Sequence, residues 1–264
     1  MVIEKNVVFI ITILIFTPLV HGKSDVKKNV NFSIGAETFF STYDEPGLMH
    51  NEGWLNGLSY SLSYQEQRNW GIKLEGMVAL GQVDYSSEDS GTMNDQDNYM
   101  ADTRGIIEYI PDNSYLSFFT GLAYRYLEND AQGRVSSTNN WGYNRVSHYI
   151  YSPIGSNLTF IQNGGWQFML TLEYDYFWFG VQESELGYHS GYDDISNDQY
   201  TGYGYRYSFA IQKKINANYS ISISPFFRYW NIDDSEVVTD SYGRLWIEPA
   251  NETNEYGVNI SLLF

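Results

Sequence analysis

Trp166-Gln167-Phe168-Met169-Leu170-Thr171-Leu172-Glu173-Tyr174-Asp175-Tyr176-Phe177-Trp178 alternates with a period of two. Its even positions carry Trp166, Phe168, Leu170, Leu172, Tyr174, Tyr176 and Trp178, and Gln167, Thr171, Glu173 and Asp175 stand opposite them. Residues two apart share one face of a strand, so the segment has a greasy face and a polar face. Its length exceeds the roughly 9–11 residues that carry a tilted strand across a bilayer. A soluble sandwich also alternates, but here the greasy face carries rows of Tyr and Trp, as a lipid-facing wall with interfacial aromatics does.

The same pattern recurs on both sides of this segment. Upstream it runs through Val30, Phe32, Ile34 and Ala36, then Leu58, Tyr60, Leu62 and Tyr64, then Trp70, Ile72, Leu74, Val78 and Leu80. Two more segments hold Thr103, Ile107 and Tyr109, and Leu116, Phe118, Leu122, Tyr124 and Tyr126; a sixth, near 143–160, is the least regular. Downstream come Tyr203 to Ile211, then Tyr219 to Tyr229, and a last segment of Tyr256, Val258, Ile260, Leu262 and the terminal Phe264. The expected fold is all-β: a transmembrane antiparallel β-barrel of about ten strands. A final strand of alternating hydrophobics ending in Phe resembles the signal read by the outer-membrane assembly machinery, which makes Tyr256, Val258, Ile260, Leu262 and Phe264 the expected assembly signal.

Connections at 65–69, 111–114, 162–165 and 213–218 are tight, whereas those between them are read as running from about eleven to over twenty residues. Short periplasmic turns and long outer loops put both chain ends inside. Lys23, Lys27, Lys28, Lys213 and Lys214 fall at the periplasmic end, and the long loops hold acids such as Asp44, Glu52, Glu88, Asp89, Asp193, Asp194, Asp233, Asp234 and Glu236. The expected outward face is anionic.

The N-terminus has Lys5 in a polar start, an apolar run from Val7 to Val20 and small Gly22. It reads as a signal peptide over 1–22, leaving 23–264 as the barrel domain of a Gram-negative outer-membrane protein. The chain has no cysteine, so disulfides and thiolate metal sites are excluded. Aromatics make up 17% of the residues, 24 of them Tyr, and the net charge of −17 argues against a nucleic-acid partner. No metal or cofactor is implied. The expected partners are outer-membrane lipid and lipopolysaccharide, the assembly machinery, and cationic extracellular ligands drawn to the loops.

The faces opposite the greasy ones carry Glu37, Lys73, Glu75, Asp102, Arg104, Glu108, Arg125, Glu173, Asp175, Arg206 and Arg228. In a narrow lumen such charges must pair with one another, so a salt-bridged plug is expected over a selective pore. A second constellation begins at Asn94-Asp95-Gln96-Asp97-Asn98-Tyr99-Met100, where two carboxylates two residues apart stand at the outer end of a strand.

Here the chain resembles the omptins, the outer-membrane proteases, in strand order, loop lengths, paired aspartates and an acidic fourth loop. That resemblance implies a ten-stranded barrel with an aspartate pair facing an Asp-His pair across an outer groove, acting on water to cut between basic residues. It nominates Asp95, Asp97, Glu185 and His189 as catalytic candidates. Where an omptin has Asp-x-His, this chain reads Glu183-Ser184-Glu185-Leu186-Gly187-Tyr188-His189, with carboxylate and imidazole four apart. On a strand, residues two apart share a face and the acid can orient the imidazole; four apart, they sit about two pleats from each other. Tyr43-Asp44-Glu45-Pro46-Gly47-Leu48-Met49 and Phe227-Arg228-Tyr229-Trp230-Asn231-Ile232 are also similar to segments of an uncharacterised group of outer-membrane barrels. The sequence leaves three functions open, in this order: a non-catalytic surface structural or interaction protein exposing acidic loops, an omptin-like aspartyl-type endopeptidase acting on basic peptides, and a narrow diffusion channel.

Overall fold

The computed structural model describes residues 29–65, 69–162 and 164–264; the expected signal peptide and Lys23, Lys27 and Lys28 lie outside them. The strands are β1 (Asn29–Glu45), β2 (Met49–Gln65), β3 (Trp70–Ser87), β4 (Gly91–Tyr109), β5 (Leu116–Asp130), β6 (Asn144–Gln162) and β7 (Trp166–Glu185), followed by β8 (Ile195–Gln199), β9 (Gly202–Lys214), β10 (Ser220–Ile232), β11 (Val238–Thr239), β12 (Leu245–Trp246) and β13 (Asn251–Leu263). Ten of them, β1 to β7 with β9, β10 and β13, form a closed antiparallel barrel in which β1 pairs with β13 and β6 with β7. Closure leaves no unpaired edge, which is what a lipid environment demands. β8 extends the sheet at the outer end of β7, and β11 with β12 makes a small hairpin.

Alternation sets the two faces of the wall. On β1, Val30, Phe32 and Ile34 face out and are exposed, whereas Glu37, Phe39, Ser41 and Glu45 face in and are buried. Trp166 stacks on Phe168 near the periplasmic end, with Lys213 over the Trp166 ring at 4.7 Å. Toward the outer end a tyrosine belt crosses three strands, with Tyr205 packed against both Tyr174 and Tyr229. These are the two interfacial girdles of a membrane barrel.

The strands run further than the sequence reading placed them. β1 and β2 are joined by a turn at 46–48 and β3 and β4 by one at 88–90, so two of the outer connections are tips of tall hairpins. Alternation simply continues above the girdle with polar residues outside and Tyr43 and Glu45 inside, and Gly47 and Gly91 supply the positive φ that these turns need. The true loops are 131–143, 186–201 and 233–250.

The lumen is filled like a core. Phe39, Leu55, Met77, Ala79, Val83 and Met100 form one buried cluster, and Ala123, Tyr149, Tyr151, Phe177, Trp230 and Ile232 another. This explains why β6 read poorly: its inward residues are Tyr149, Tyr151 and Pro153 rather than polar ones, so its two faces look alike. Opposite it, the register slips between Ile150 and Tyr151, where Trp178 is bulged out and Phe177 turns inward.

Candidate functional site

Three layers stack along the barrel axis. Nearest the periplasm is a chamber of about 330 Å³ with Ser33, Ser59, Ser61, Ser208, Ser222 and Ser261 in its lining. Above it lies the charge layer. Arg104 donates to Glu75 and Glu173, and Lys73 lies 2.6 Å from Glu75. Arg206 reaches Asp102 and Asp175, each at 2.7 Å, and donates to the Tyr151 hydroxyl at 2.6 Å. Arg228 bonds Glu37 at 2.9 Å and lies 2.8 Å from Glu255, which also accepts from the fully buried Arg125. The sequence reading placed ten of these charges on the inner face; it missed Glu255, the residue before outward-facing Tyr256. Glu108 stands apart from the ion pairs and accepts from Ser117 and Asn157.

The third layer is the outer mouth, a cleft of about 280 Å³. One wall is Leu48, Met49, Tyr85 and Asp89 from the two tall hairpins; the other is Leu186, Ile195, Trp246 and Ile247. At its floor Arg145, the second residue of β6, donates to both Glu45 and Glu248. The Tyr43 hydroxyl lies 3.1 Å from Glu45 Oε1 and 3.3 Å from Glu248 Oε1. Glu248 is held in place by its backbone: its N–H donates to Ser235 Oγ at 2.8 Å, and its carbonyl accepts from Ser235 N–H at 2.9 Å. Burial and the neighbouring Glu45 charge raise the Glu248 carboxyl above its ordinary range, against the pull of Arg145. Sequence reading missed this group because Arg145 lies in the irregular strand and Glu248 in a loop with no repeating pattern.

The nominated catalytic residues stand elsewhere. Asp95 and Asp97 are exposed on the outside of the wall, beside Glu52, Asp84 and Tyr99. Asp97 accepts from Gln82 at 3.1 Å, while the Asp95 N–H donates to Asp84 at 2.9 Å. Cross-strand register runs Asp97 to Asp130, Asp130 to Asn144 and Asn144 to Glu185. Those three steps of about 4.8 Å put Asp97 and Glu185 ~14 Å apart along the wall, too far to share a water. His189 stacks on Trp141, centroids 4.7 Å apart at 14°, and its Nε2 lies 3.2 Å from the Gly142 carbonyl. His148 meets the Tyr124 hydroxyl at 2.7 Å on the outer wall, and His50 lies between Asp44 at 2.6 Å and Glu52 at 3.4 Å. Among the described residues no imidazole lines the cleft.

No family model matches the chain, and no curated protein matches it in sequence. Among solved structures it is similar to the outer membrane protease OmpT from Escherichia coli, with a TM-score of 0.61 at 11% identity over 94% of this chain and 99% of that one. It also matches the translocator domain of autotransporter NalP from Neisseria meningitidis (TM-score 0.45, 8% identity, 90% and 89% covered) and Neisserial surface protein A (TM-score 0.35, 11% identity, 87% and 95% covered). In fold, therefore, the chain is a closed ten-stranded outer-membrane barrel that distantly resembles the omptins.

Proposed function

We propose that the protein is a sealed, non-catalytic surface barrel of the Gram-negative outer membrane, seated among lipopolysaccharide, that engages cationic extracellular partners through its anionic outer surface. The observation that carries this reading is the composition of the mouth: its floor carboxylates are bound to Arg145, while the described imidazoles are engaged outside it. A hydrolase acting on water needs a free base held against an orienting partner. Outside the mouth, Glu52, Asp84, Glu88, Asp194 and Glu236 are exposed. The arginines of the outer loops are engaged internally, Arg134 with the carbonyls of Asn94 and Asp95 and Arg244 with Asp240 at 2.6 Å. The field outside is thus left negative.

Proteolysis of basic peptides is the second reading, favoured by the likeness of fold to OmpT. A diffusion channel is disfavoured by the two apolar clusters stacked on the charge layer. The test is a fluorogenic dibasic peptide incubated with the barrel refolded in lipopolysaccharide, with binding of an uncleavable lysine-rich peptide followed in parallel. The expected result is saltable binding without turnover. Cleavage that is lost in both Asp97→Ala and Glu185→Ala would replace this reading with the enzymatic one.

A further inference from the structure

Below the floor of the mouth the lumen holds a second cavity, of about 60 Å³. It shares Arg145 with the cleft above it, and Val83, Met100 and Leu127 with the apolar cluster around Phe39 and Leu55. Separate parts of the wall meet here, with Asn51 from β2, Asn129 from β5 and Arg145 from β6 in the lining. Each of the three brings a buried polar atom that has no protein partner: Asn51 Oδ1 has no donor, and Asn129 Nδ2 and Arg145 Nε have no acceptor. Asn51 as a whole is only 7% exposed. The other two nitrogens of Arg145 are engaged, Nη2 with Glu45 and Glu248 and Nη1 with Met49 Sδ at 3.0 Å, which leaves Nε for the cavity.

A buried polar group without a partner is costly, and three around one cavity call for a guest that completes them. Their needs are mixed, and that selects the guest. A cation would meet Asn51 Oδ1 but face the guanidinium. An anion would meet Arg145 and Asn129 but face the Asn51 carbonyl, with Glu45 and Glu248 just beyond Arg145. An apolar guest would satisfy none of the three. A small neutral molecule that donates and accepts at once satisfies all of them, and at roughly 30 Å³ each about two waters fill the space. We infer that this cavity is a hydration site in which about two ordered waters tie β2, β5 and β6 together within the lumen, donating to Asn51 and accepting from Asn129 and Arg145. The hydroxyls of Ser41 and Thr253 in the same lining supply the further partners that a held water needs.

Waters so placed are cut off on both sides. Above them the Arg145 guanidinium closes on Glu45, Glu248 and Met49. Below them Phe39 and Leu55 are fully buried in the apolar cluster, and Met77 of that cluster lines the periplasmic chamber on its far side. Apolar packing offers water no hydrogen bonds, so the lumen water falls into two bodies, one open to the periplasmic chamber and one held behind the mouth. This division does not depend on what the outer surface binds.

The direct test is a crystal structure of the refolded wild-type barrel, grown with bromide and at a resolution that shows single waters. We expect two peaks in the cavity at hydrogen-bond distance from Asn51 Oδ1, Asn129 Nδ2 and Arg145 Nε, with no anomalous bromide signal. Bromide or a metal ion in the cavity, or the three atoms paired with protein groups and no density between them, would overturn the inference. In solution, oxygen-17 relaxation dispersion of water compares wild type with Asn51→Leu, whose apolar side chain removes the acceptor and fills the space. Wild type should show about two more long-lived waters than the variant, and equal numbers would count against the site. If Asn51→Leu does not refold, Asn129→Leu takes its place. Leu55→Ala, which opens the apolar cluster toward the chamber, should keep these waters but shorten their residence several-fold; an unchanged residence time would refute the division of the lumen water.

Discussion

Phe264 closes the barrel on Phe32: their rings stack with centroids 6.1 Å apart, and the Phe264 N–H donates to the Phe32 carbonyl at 2.8 Å while the Phe32 N–H returns the bond at 3.3 Å. The last residue of the chain is therefore part of the seam between β13 and β1, beyond the ladder of Ser33 with Leu263. An aromatic pair contributes about 1 kcal/mol and two backbone hydrogen bonds about 1 kcal/mol each. Deleting Phe264 should destabilise the refolded barrel by about 2–3 kcal/mol in urea titration and, on the proposed reading of the last strand as assembly signal, lower its level in the membrane. A deletion variant that matches wild type in both assays would refute the role assigned to this end of the chain.

Arg206 is the hub of the charge layer, held by Asp102, Asp175 and Tyr151 and lying over the Trp230 ring at 5.8 Å. Removing one partner of a buried pair typically costs ~3–5 kcal/mol because the other charge is left stranded. Arg206→Ala should cost about that much, whereas Arg206→Met together with Asp175→Asn should cost less than the sum of the single changes, read by a double-mutant cycle. The apolar clusters above the layer remain in all of these variants, so none should raise single-channel conductance in a planar bilayer. Ion flow through Arg206→Ala would mean that the charge layer alone seals the lumen.

How much of this was legible in the sequence depended on which contrast each strand offered. β7 declares itself because its two faces differ so strongly, and the same contrast places Glu173 and Asp175 inside. β6 did not, since a lumen packed with Tyr149 and Tyr151 erases the polar face on which the alternation rule depends. The cleft was illegible for a different reason. Tyr43 and Glu45 share a strand face, but Arg145 and Glu248 lie 100 and 203 residues from Glu45 in sequence, and only closure of the barrel brings them together. The Asp95 and Asp97 pair was legible in spacing but not in direction: a spacing of two guarantees a common side without saying which, and here that side is the outer one.

The loop before β13 is organised by one carboxylate. Asp240 accepts from Trp246 Nε1 at 3.0 Å, Arg244 Nε at 2.6 Å and the N–H groups of Tyr242 and Arg244, both at 2.9 Å. These donors outweigh the desolvation of the carboxyl and hold its pKa at about 2. Because the folded value lies below the ordinary one of about 3.9, the stabilisation is present above pH ~4 and is lost as pH falls through about 2. Pepsin digestion of the folded barrel should therefore open the 238–246 hairpin several-fold faster at pH 2 than at pH 4 relative to cleavage in the 131–143 loop. Asp240→Asn should be cut quickly at both values, and a hairpin whose cleavage relative to that loop is the same at both pH values would show that Asp240 does not hold it.

His50 makes the opposite kind of pH sensor at the tip of the first hairpin. It sits on β2 directly across from Asp44 of β1, with Nδ1 2.6 Å from Asp44 and Nε2 3.4 Å from Glu52. Partial burial disfavours its charged form, but the hydrogen bonds and charges of Asp44 and Glu52 prevail and raise its pKa above the ordinary value. A group raised in the folded state adds stability that is complete below its unfolded pKa of about 6.5 and disappears as pH climbs through the raised value. The hairpin tip should thus loosen on the alkaline side, seen as faster amide exchange at 44–50 after correction for the intrinsic rate. An NMR titration of the imidazole in detergent should give a midpoint above 6.5 that falls toward it in Asp44→Asn, with Glu52→Gln having the smaller effect because its contact is longer. A midpoint at or below 6.5 in wild type would mean that solvent screens the two acids, and the exchange rates of the tip should then be indifferent to pH.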